Sequence, residues 1–409
     1  MKTIEEKENG SLNRLNFITS LGDWFSYFAV LNYVFVLTKD AALASSVVTI
    51  KSLSILISAL IFPWMSAHCS VRRLLIVPEI VGGVCSLAPI ALFSFENPSM
   101  TLIFGLLFAQ SLLKEIFNNA KDSYSKLLRT DSTHLTFQAQ ILNGQFLAQF
   151  IGPLSIIFLV RVCSIQTILS FDALTFFYSA YTAYKLTNRE RIALKKGLAK
   201  DLASVFSPLF YARKIQGMSG YLLMRSVIFW IGTGMSNFFG VGIVATKFNL
   251  SLVNSAWTYF PNGLGAAVSS FSLKNKLIKS LSKCKLTTLA WVGLSIMGVV
   301  RLFYSRVPYF WVVVVIYFFN GLGMGAHSVS TLTMRSKLTT KEQFAEVMGL
   351  ETCLGRFVDF LTQCACIWAV KAKLIDFEMG LWVAGVFAVV SSLGYLKINL
   401  PAKDNVQFS

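Results

Sequence analysis

The sequence predicts an all-α polytopic membrane protein: twelve transmembrane helices in two pseudo-symmetric six-helix bundles. Three observations carry that reading. Hydrophobic residues make up 55% of the 409 and charged residues only 14%, against about 25% charged in an ordinary soluble domain. A soluble fold could not keep so much apolar surface, 35 phenylalanines included, out of water. The apolar residues also fall into twelve runs of the length that crosses a bilayer, about 20 residues each. Finally, 127–142 (LLRTDSTHLTFQAQIL) aligns weakly with 333–348 (TMRSKLTTKEQFAEVM) at an offset of 206, half the chain, so that Arg129 meets Arg335 and Ala139 meets Ala345.

The predicted spans are 15–38, 43–67, 73–95, 99–125, 136–160 and 164–186, then 220–245, 250–272, 286–304, 308–333, 343–369 and 375–397. The first six make an N-terminal bundle over 1–186 and the last six a C-terminal bundle over 220–409. Between them, 187–219 reads as a polar cytoplasmic linker holding an interfacial amphipathic helix, with Leu194, Leu198, Leu202 and Phe206 on its apolar side. A transmembrane barrel would show short segments alternating every second residue, and none is present. Glu5, Glu6 and Glu8 stand where a signal peptide would be basic, so no cleaved signal is expected.

Net charge is +17, and placement explains it. With both termini inside, about 26 of the 37 Lys and Arg fall in cytoplasmic segments and about 7 in external ones. That asymmetry sets orientation by the positive-inside rule. No aromatic-interleaved basic domain exists to bind nucleic acid. The seven cysteines form no external disulfide framework; Cys364 and Cys366, two apart in a helix, point in roughly opposite directions.

Five stretches carry a family resemblance: NFITSLGDWFSYFAVL (16–31), IFNNAKDSYSKLL (116–128), IGPLSIIFLV (151–160), FDALTFFYSA (171–180) and GLETCLGRFVDF (349–360). The chain resembles the major facilitator superfamily, nearest its drug/proton antiporters with the macrolide-efflux and siderophore (enterobactin-type) exporters. That resemblance implies two bundles rocking about a central substrate site. Two family motifs are altered. The loop between helices 2 and 3 should read like G-x-L-A-D-R with paired arginines. Here Arg72 and Arg73 remain, while His68 stands in place of the gating aspartate and Trp64 in place of the glycine. The small-residue row of helix 5 that marks exporters survives as Ala139, Ala148, Gly152 and Pro153, with Ile156 and Ile157 replacing its last glycines. Such a row lets helices approach closely.

Charged side chains at mid-bilayer cost about 2.5–3.5 kcal/mol on insertion scales, so each requires a reason. Asp23 lies about two turns inside helix 1, which lines the cavity in the resembling family. It is the candidate coupling carboxylate, because a buried carboxylate can load and release protons; the alternative is a structural hydrogen-bond acceptor. Arg356 and Asp359, three apart in helix 11, share a face. They form either a self-neutralising pair or a partner-exchange device holding an anionic substrate or Asp23. Lys114 and Glu115 are consecutive in helix 4 and diverge, and Lys121 and Asp122 add to that helix's polar load. Gln138, Gln145 and Gln149 fall on one stripe of helix 5, suited to bonding between helices or to substrate contact. His327, after Gly321, Gly323 and Gly325, is a proton-relay or structural histidine, and Glu351 joins the binding candidates. Arg225 and Lys51 lie near helix ends and are expected to snorkel.

There is no phosphate loop of the G-x-x-x-x-G-K-[S/T] type and no H-E-x-x-H or Cys/His cluster. The sequence therefore reads as a non-enzymatic, cofactor-free and metal-free secondary transporter. The expectation is a monomer exporting a siderophore-like or other partly polar molecule across a bacterial inner membrane in exchange for protons. Multidrug efflux is the alternative, followed by an importer or lysophospholipid flippase and by a non-transporting sensor.

Overall fold

The computed structural model describes residues 4–92, 99–127, 131–186, 215–272, 286–339 and 341–400. Among them are twelve long helices, one for each apolar run, and no strand. In chain order these are α1 (Ile4–Thr38), α2 (Ala41–His68), α3 (Val71–Leu92), α4 (Met100–Leu127), α5 (Asp131–Val162) and α6 (Ile165–Tyr184). Then follow α7 (Met218–Thr246), α8 (Ala256–Ser272), α9 (Leu286–Arg306), α10 (Phe310–Leu338), α11 (Lys341–Lys371) and α12 (Phe377–Ser392). The linker reading falls mostly on 187–214, outside the described residues.

Capping chemistry sets several of these boundaries. Asp40 stops the chain between α1 and α2, its carboxylate accepting from the backbone N–H of Ala42 at 2.8 Å and of Leu43 at 3.1 Å. Asp376 starts α12 by accepting from Met379 N at 2.7 Å, and Ser164 starts α6 by accepting from Thr167 N at 3.2 Å. Lys39 and Lys373, just past α1 and α11, adopt the left-handed conformation with φ of 53° and 58°. That conformation turns the chain sharply after a helix.

Ten helices are long and apolar enough to cross a membrane by composition. The other two are α6 and α8. Helix α6 is 20 residues long but carries Gln166, Asp172 and five tyrosines or threonines in its last three turns. Helix α8 has only 17 residues and continues a 3₁₀ turn over Leu252–Ser255.

The described residues divide into two compact units: Met1–Leu202 with Asn249–Phe260, and Ala203–Phe248 with Pro261–Ser409. The two repeat one internal plan. In the first, α1 packs on α5 and α6, and α3 on α4 and α6; in the second, α7 packs on α11 and α12, and α9 on α10 and α12. Trp24 on α1 and Trp230 on α7 are 206 residues apart, the offset of the sequence repeat. Each meets a glycine of its partner helix. A Cβ added at Gly152 of α5 would lie 2.7 Å from Trp24 Cβ, and one at Gly355 of α11 would lie 2.3 Å from the Trp230 ring.

Lipid tails are as apolar as leucine, so helix association depends on close packing and on polar links between helices. The contact between α8 and α10 shows both. A Cβ at Gly265 would fall 2.1 Å from Phe318 O and one at Gly321 2.0 Å from Asn262 O, while Asn320 Nδ2 donates to Asn262 Oδ1 at 2.8 Å. Gly321→Val is therefore expected to force the two backbones apart and lower the thermal midpoint in detergent by several degrees. Gly105→Ala, whose new methyl group meets nothing within 4 Å, should leave that midpoint unchanged or raise it. A midpoint in Gly321→Val equal to the native value would refute the packing argument.

Candidate functional site

Inside the first unit lies a cavity of about 110 Å³ lined by α1, α2, α4 and α6. Its charged lining is Asp23, Lys51, Lys114 and Glu115, interleaved with Ser26, Tyr27, Gln110 and Phe176. Asp23 Oδ2 and Lys114 Nζ form an ion pair at 3.5 Å. The two ends of the pair differ in access: the Asp23 side chain is 35% exposed and that of Lys114 8%. Lys114 also sits over the rings of Phe176 at 5.2 Å and Phe117 at 5.5 Å, which wrap its charge in aromatic surface.

Lys51 faces the cavity with its ammonium 4.6 Å from the Tyr27 ring centroid. It does not snorkel, because the aromatic face offers the charge a partner within the bundle. Lys121 is equally inward: it is 2% exposed and bonded to Asn16 Oδ1 and, at 3.1 Å, to Asn118 Oδ1.

Behind the cavity wall are two carboxylates that sequence reasoning did not single out. Asp172 on α6 is fully buried and receives Gln110 Nε2 at 2.7 Å and Ser86 Oγ at 3.4 Å. Gln110 also donates to Ser86 Oγ at 2.8 Å, closing a triangle between α3, α4 and α6. Gly22 makes room for it, since a Cβ there would stand 2.6 Å from Asp172 Oδ1. Glu79 on α3 is fully buried, and among the described residues no donor meets good hydrogen-bond geometry at either of its oxygens. The signal available for both was a lone acid inside an apolar run, in VPEIV and in SFDAL.

The second unit holds different chemistry. Helix α7 contains a π-helical turn over Leu223–Ile228, which carries Arg225. Arg225 Nε meets Glu351 Oε1 at 3.1 Å; Glu351 Oε2 accepts from Tyr221 at 2.9 Å and from Arg335 Nη1 at 3.2 Å. The snorkelling expected of Arg225 does not occur, because the Glu351 carboxylate and the Phe229 ring, 4.4 Å away, satisfy it internally. Arg356 pairs with Asp359 at 3.3 Å and lies over Trp230 at 4.1 Å, while Gln363 donates to Asp359 Oδ1 at 2.9 Å. His327 is buried, stacked on Phe229 at 4.5 Å, with Nε2 2.8 Å from the Tyr395 hydroxyl.

The remaining sequence candidates lie apart from both clusters. Gln145 is exposed and Gln149 half-buried, while the side chain of Gln138 falls outside the described residues, as do those of Ala139 and His134. Ala148, Gly152 and Pro153 are buried on α5, as are Ile156 and Ile157. In the loop after α2, His68 Nδ1 is 2.8 Å from Trp64 O and its ring packs on Trp64 at 5.0 Å. Arg72 donates to Tyr184 O and covers the Tyr184 ring at 5.0 Å, tying the start of α3 to the end of α6; Arg73 is exposed. All described cysteines are free thiols.

Glu351 is the acceptor common to three donors, so its removal takes the shared carboxylate from two largely buried guanidinium groups. Breaking a buried pair from one side costs about 3–5 kcal/mol in soluble proteins. Glu351→Ala should therefore lower the thermal midpoint more than Glu378→Ala, which removes a half-exposed partner of Lys247. Equal shifts in the two variants would contradict the assignment.

The Major Facilitator Superfamily matches residues 15–361 of the chain. No curated protein matches it in sequence. Among solved structures, the peptide transporter POT superposes with a TM-score of 0.73 at 14% identity, covering 96% of this chain and 94% of that one. The nucleoside transporter NupG gives 0.67 at 14% identity, covering 96% and 99%. The human organic anion transporter MFSD10 (TETRAN) gives 0.65 at 12% identity, covering 95% and 99%. At such identities the superpositions establish fold alone, but the sequence match extends over most of the chain. This multi-pass membrane protein belongs to the major facilitator superfamily of transporters.

Proposed function

We propose that the chain is a proton-coupled exporter of a small, partly polar organic molecule, working by alternating access in a bacterial inner membrane with both termini cytoplasmic. The observation that carries this reading is the cavity in the first unit, which offers two lysines and two carboxylates to whatever enters it. A purely apolar drug would gain nothing from those four charges. A molecule with both donor and acceptor groups would use them.

Antiport requires proton and substrate to compete for one group, and Asp23 meets that requirement. It lines the cavity, is reachable from it, and holds an ion pair loose enough, at 3.5 Å, to be remade. A donor group of the substrate takes the carboxylate, and Lys51 and Lys114 hold the acceptor end. Protonation of Asp23 then displaces the substrate. Exchange at a single carboxylate thereby links the two fluxes. Export, rather than uptake, is supported by the small-residue row of α5, where Gly152 allows Trp24 of α1 to pack close. Orientation is supported by the excess of Lys and Arg in the segments read as cytoplasmic.

Polar chelators of the siderophore kind fit the mixed lining, and multidrug efflux is the second reading. The latter is favoured by the ring cluster of Trp24, Tyr27, Phe28 and Tyr259, with centroids 5.0–6.4 Å apart.

Two measurements test the reading. Supernatants of a deletion strain grown under iron limitation should lack one chelator that the complemented strain releases, with the same compound accumulating inside. Matching supernatants would remove siderophore export and leave a toxin-sensitivity panel to test drug efflux. In inverted vesicles, an imposed pH gradient should drive uptake of the exported compound at least ten times faster with the native protein than with Asp23→Asn. Gradient-driven uptake undiminished in Asp23→Asn would end the coupling assignment.

A further inference from the structure

We infer that Glu79 is a second protonation site, which exchanges the Lys114 ammonium with Asp23. The inference rests on the proton-coupled reading and extends it to a residue outside the cavity lining.

The first ground is the isolation of Glu79. Its side chain is fully buried in α3, and both carboxylate oxygens lack a hydrogen bond. Its one polar neighbour on α6 is Ser179, a neutral hydroxyl close to the carboxylate but outside good hydrogen-bond geometry, and it supplies no balancing charge. An ionised carboxylate buried without partners is among the most costly groups a protein can hold, and such groups normally neutralise. With no base or cation in direct contact, Glu79 holds a proton in this arrangement.

The second ground is the shared cation. Helices packed on α3 bring Lys114 and Lys121 from α4 and Ser179 from α6 to bear on Glu79, with Asp23 acting from α1. Three carboxylates, those of Asp23, Glu79 and Asp172, act on Lys114. Lys121 is committed to Asn16 and Asn118, and Lys51 to the Tyr27 ring. Asp172 already has Gln110 and Ser86 as donors. Asp23 and Glu79 are then the two acids whose charge depends on where the Lys114 ammonium points.

The chemistry follows from that competition. While Asp23 is ionised, it takes Lys114 and Glu79 stays protonated. When Asp23 accepts a proton, Lys114 is released toward Glu79, and Glu79 gives up its proton to water or to the cavity. One proton enters and one leaves, and the cluster keeps the same net charge.

Infrared difference spectroscopy of the protein in lipid vesicles tests this without any substrate. The native protein should show the carboxylic C=O band of a buried acid at neutral pH. Glu79→Gln should abolish the band, and Glu79→Asp should retain it at a shifted frequency, which covers the case in which the glutamine variant fails to fold. Asp23→Asn should also abolish it, since Lys114 is then free for Glu79. A band that survives in Glu79→Gln, or that persists unchanged in Asp23→Asn, would overturn the inference. Loss of the band on adding sodium at constant pH would overturn it in favour of a metal-cation site. These outcomes are independent of transport. If gradient-driven uptake is absent while the band behaves as expected, proton coupling falls and the exchange stands. If uptake is intact while the band fails, only the exchange falls.

Discussion

Four of the first six helices bring charged groups to bear on one ammonium. Lys114 lies 8% exposed between aromatic rings, and the acids nearest it in effect come from three other helices: Asp23 on α1, Glu79 on α3 and Asp172 on α6. In water such charges would be indifferent to one another at a few ångströms' displacement. In a low-dielectric interior each is worth several kcal/mol of desolvation unless paired. The placement of one lysine therefore constrains which acids are ionised and which helices must stay near α4.

Close backbone approach makes such an arrangement possible. Gly22 brings α1 against Asp172, and Gly82 and Gly83 let α3 pack on Phe176 and Phe177 of α6. Phe176 in turn forms part of the wall around Lys114. Small residues on one side of these contacts and rings on the other translate an apolar packing pattern into the positions of the charged groups. The same logic recurs in the second unit, where Gly234 allows α7 to reach Asp359 of α11, with 2.9 Å from an added Cβ to Oδ1.

Fold class and helix positions were legible because bilayer thickness imposes a length on every apolar run, and a run of about 20 residues has few other uses. The weak repeat was legible as well, and Trp24 with Trp230 extends it. The partners of the charges were not. Asp23 could be named from its position in α1, but its pairing with Lys114 depends on how α1 and α4 are rotated, which periodicity alone does not give. Arg225 read as a snorkelling residue because it lies near a helix start. The π-helical turn that carries it, and Glu351 opposite, came only with the structure. Glu79 was passed over because a single acid among VPEIV residues carries no spacing signal. Its lack of a balancing charge becomes visible only when the cations near it are known to be held by other groups.

The two units treat buried charge differently, and the contrast bears on how such a molecule can move. In the second unit, Glu351 accepts from Tyr221, Arg225 and Arg335 at once, and Asp359 is held by both Arg356 and Gln363. Each of these acids has more than one donor, so losing any single contact leaves it hydrogen-bonded. In the first unit, Asp23 is paired with Lys114 at 3.5 Å, and among the described residues no group meets good hydrogen-bond geometry at Glu79. A cluster with redundant donors has one favourable arrangement and resists change. A cluster with more acids than directly contacting cations has several arrangements of similar energy, selected by where a proton sits. Bistability of that second kind is what a proton can bias, so under the proposed proton coupling the responsive element would be sought in α1, α3 and α4 rather than in the multiply bonded cluster of α7, α10 and α11.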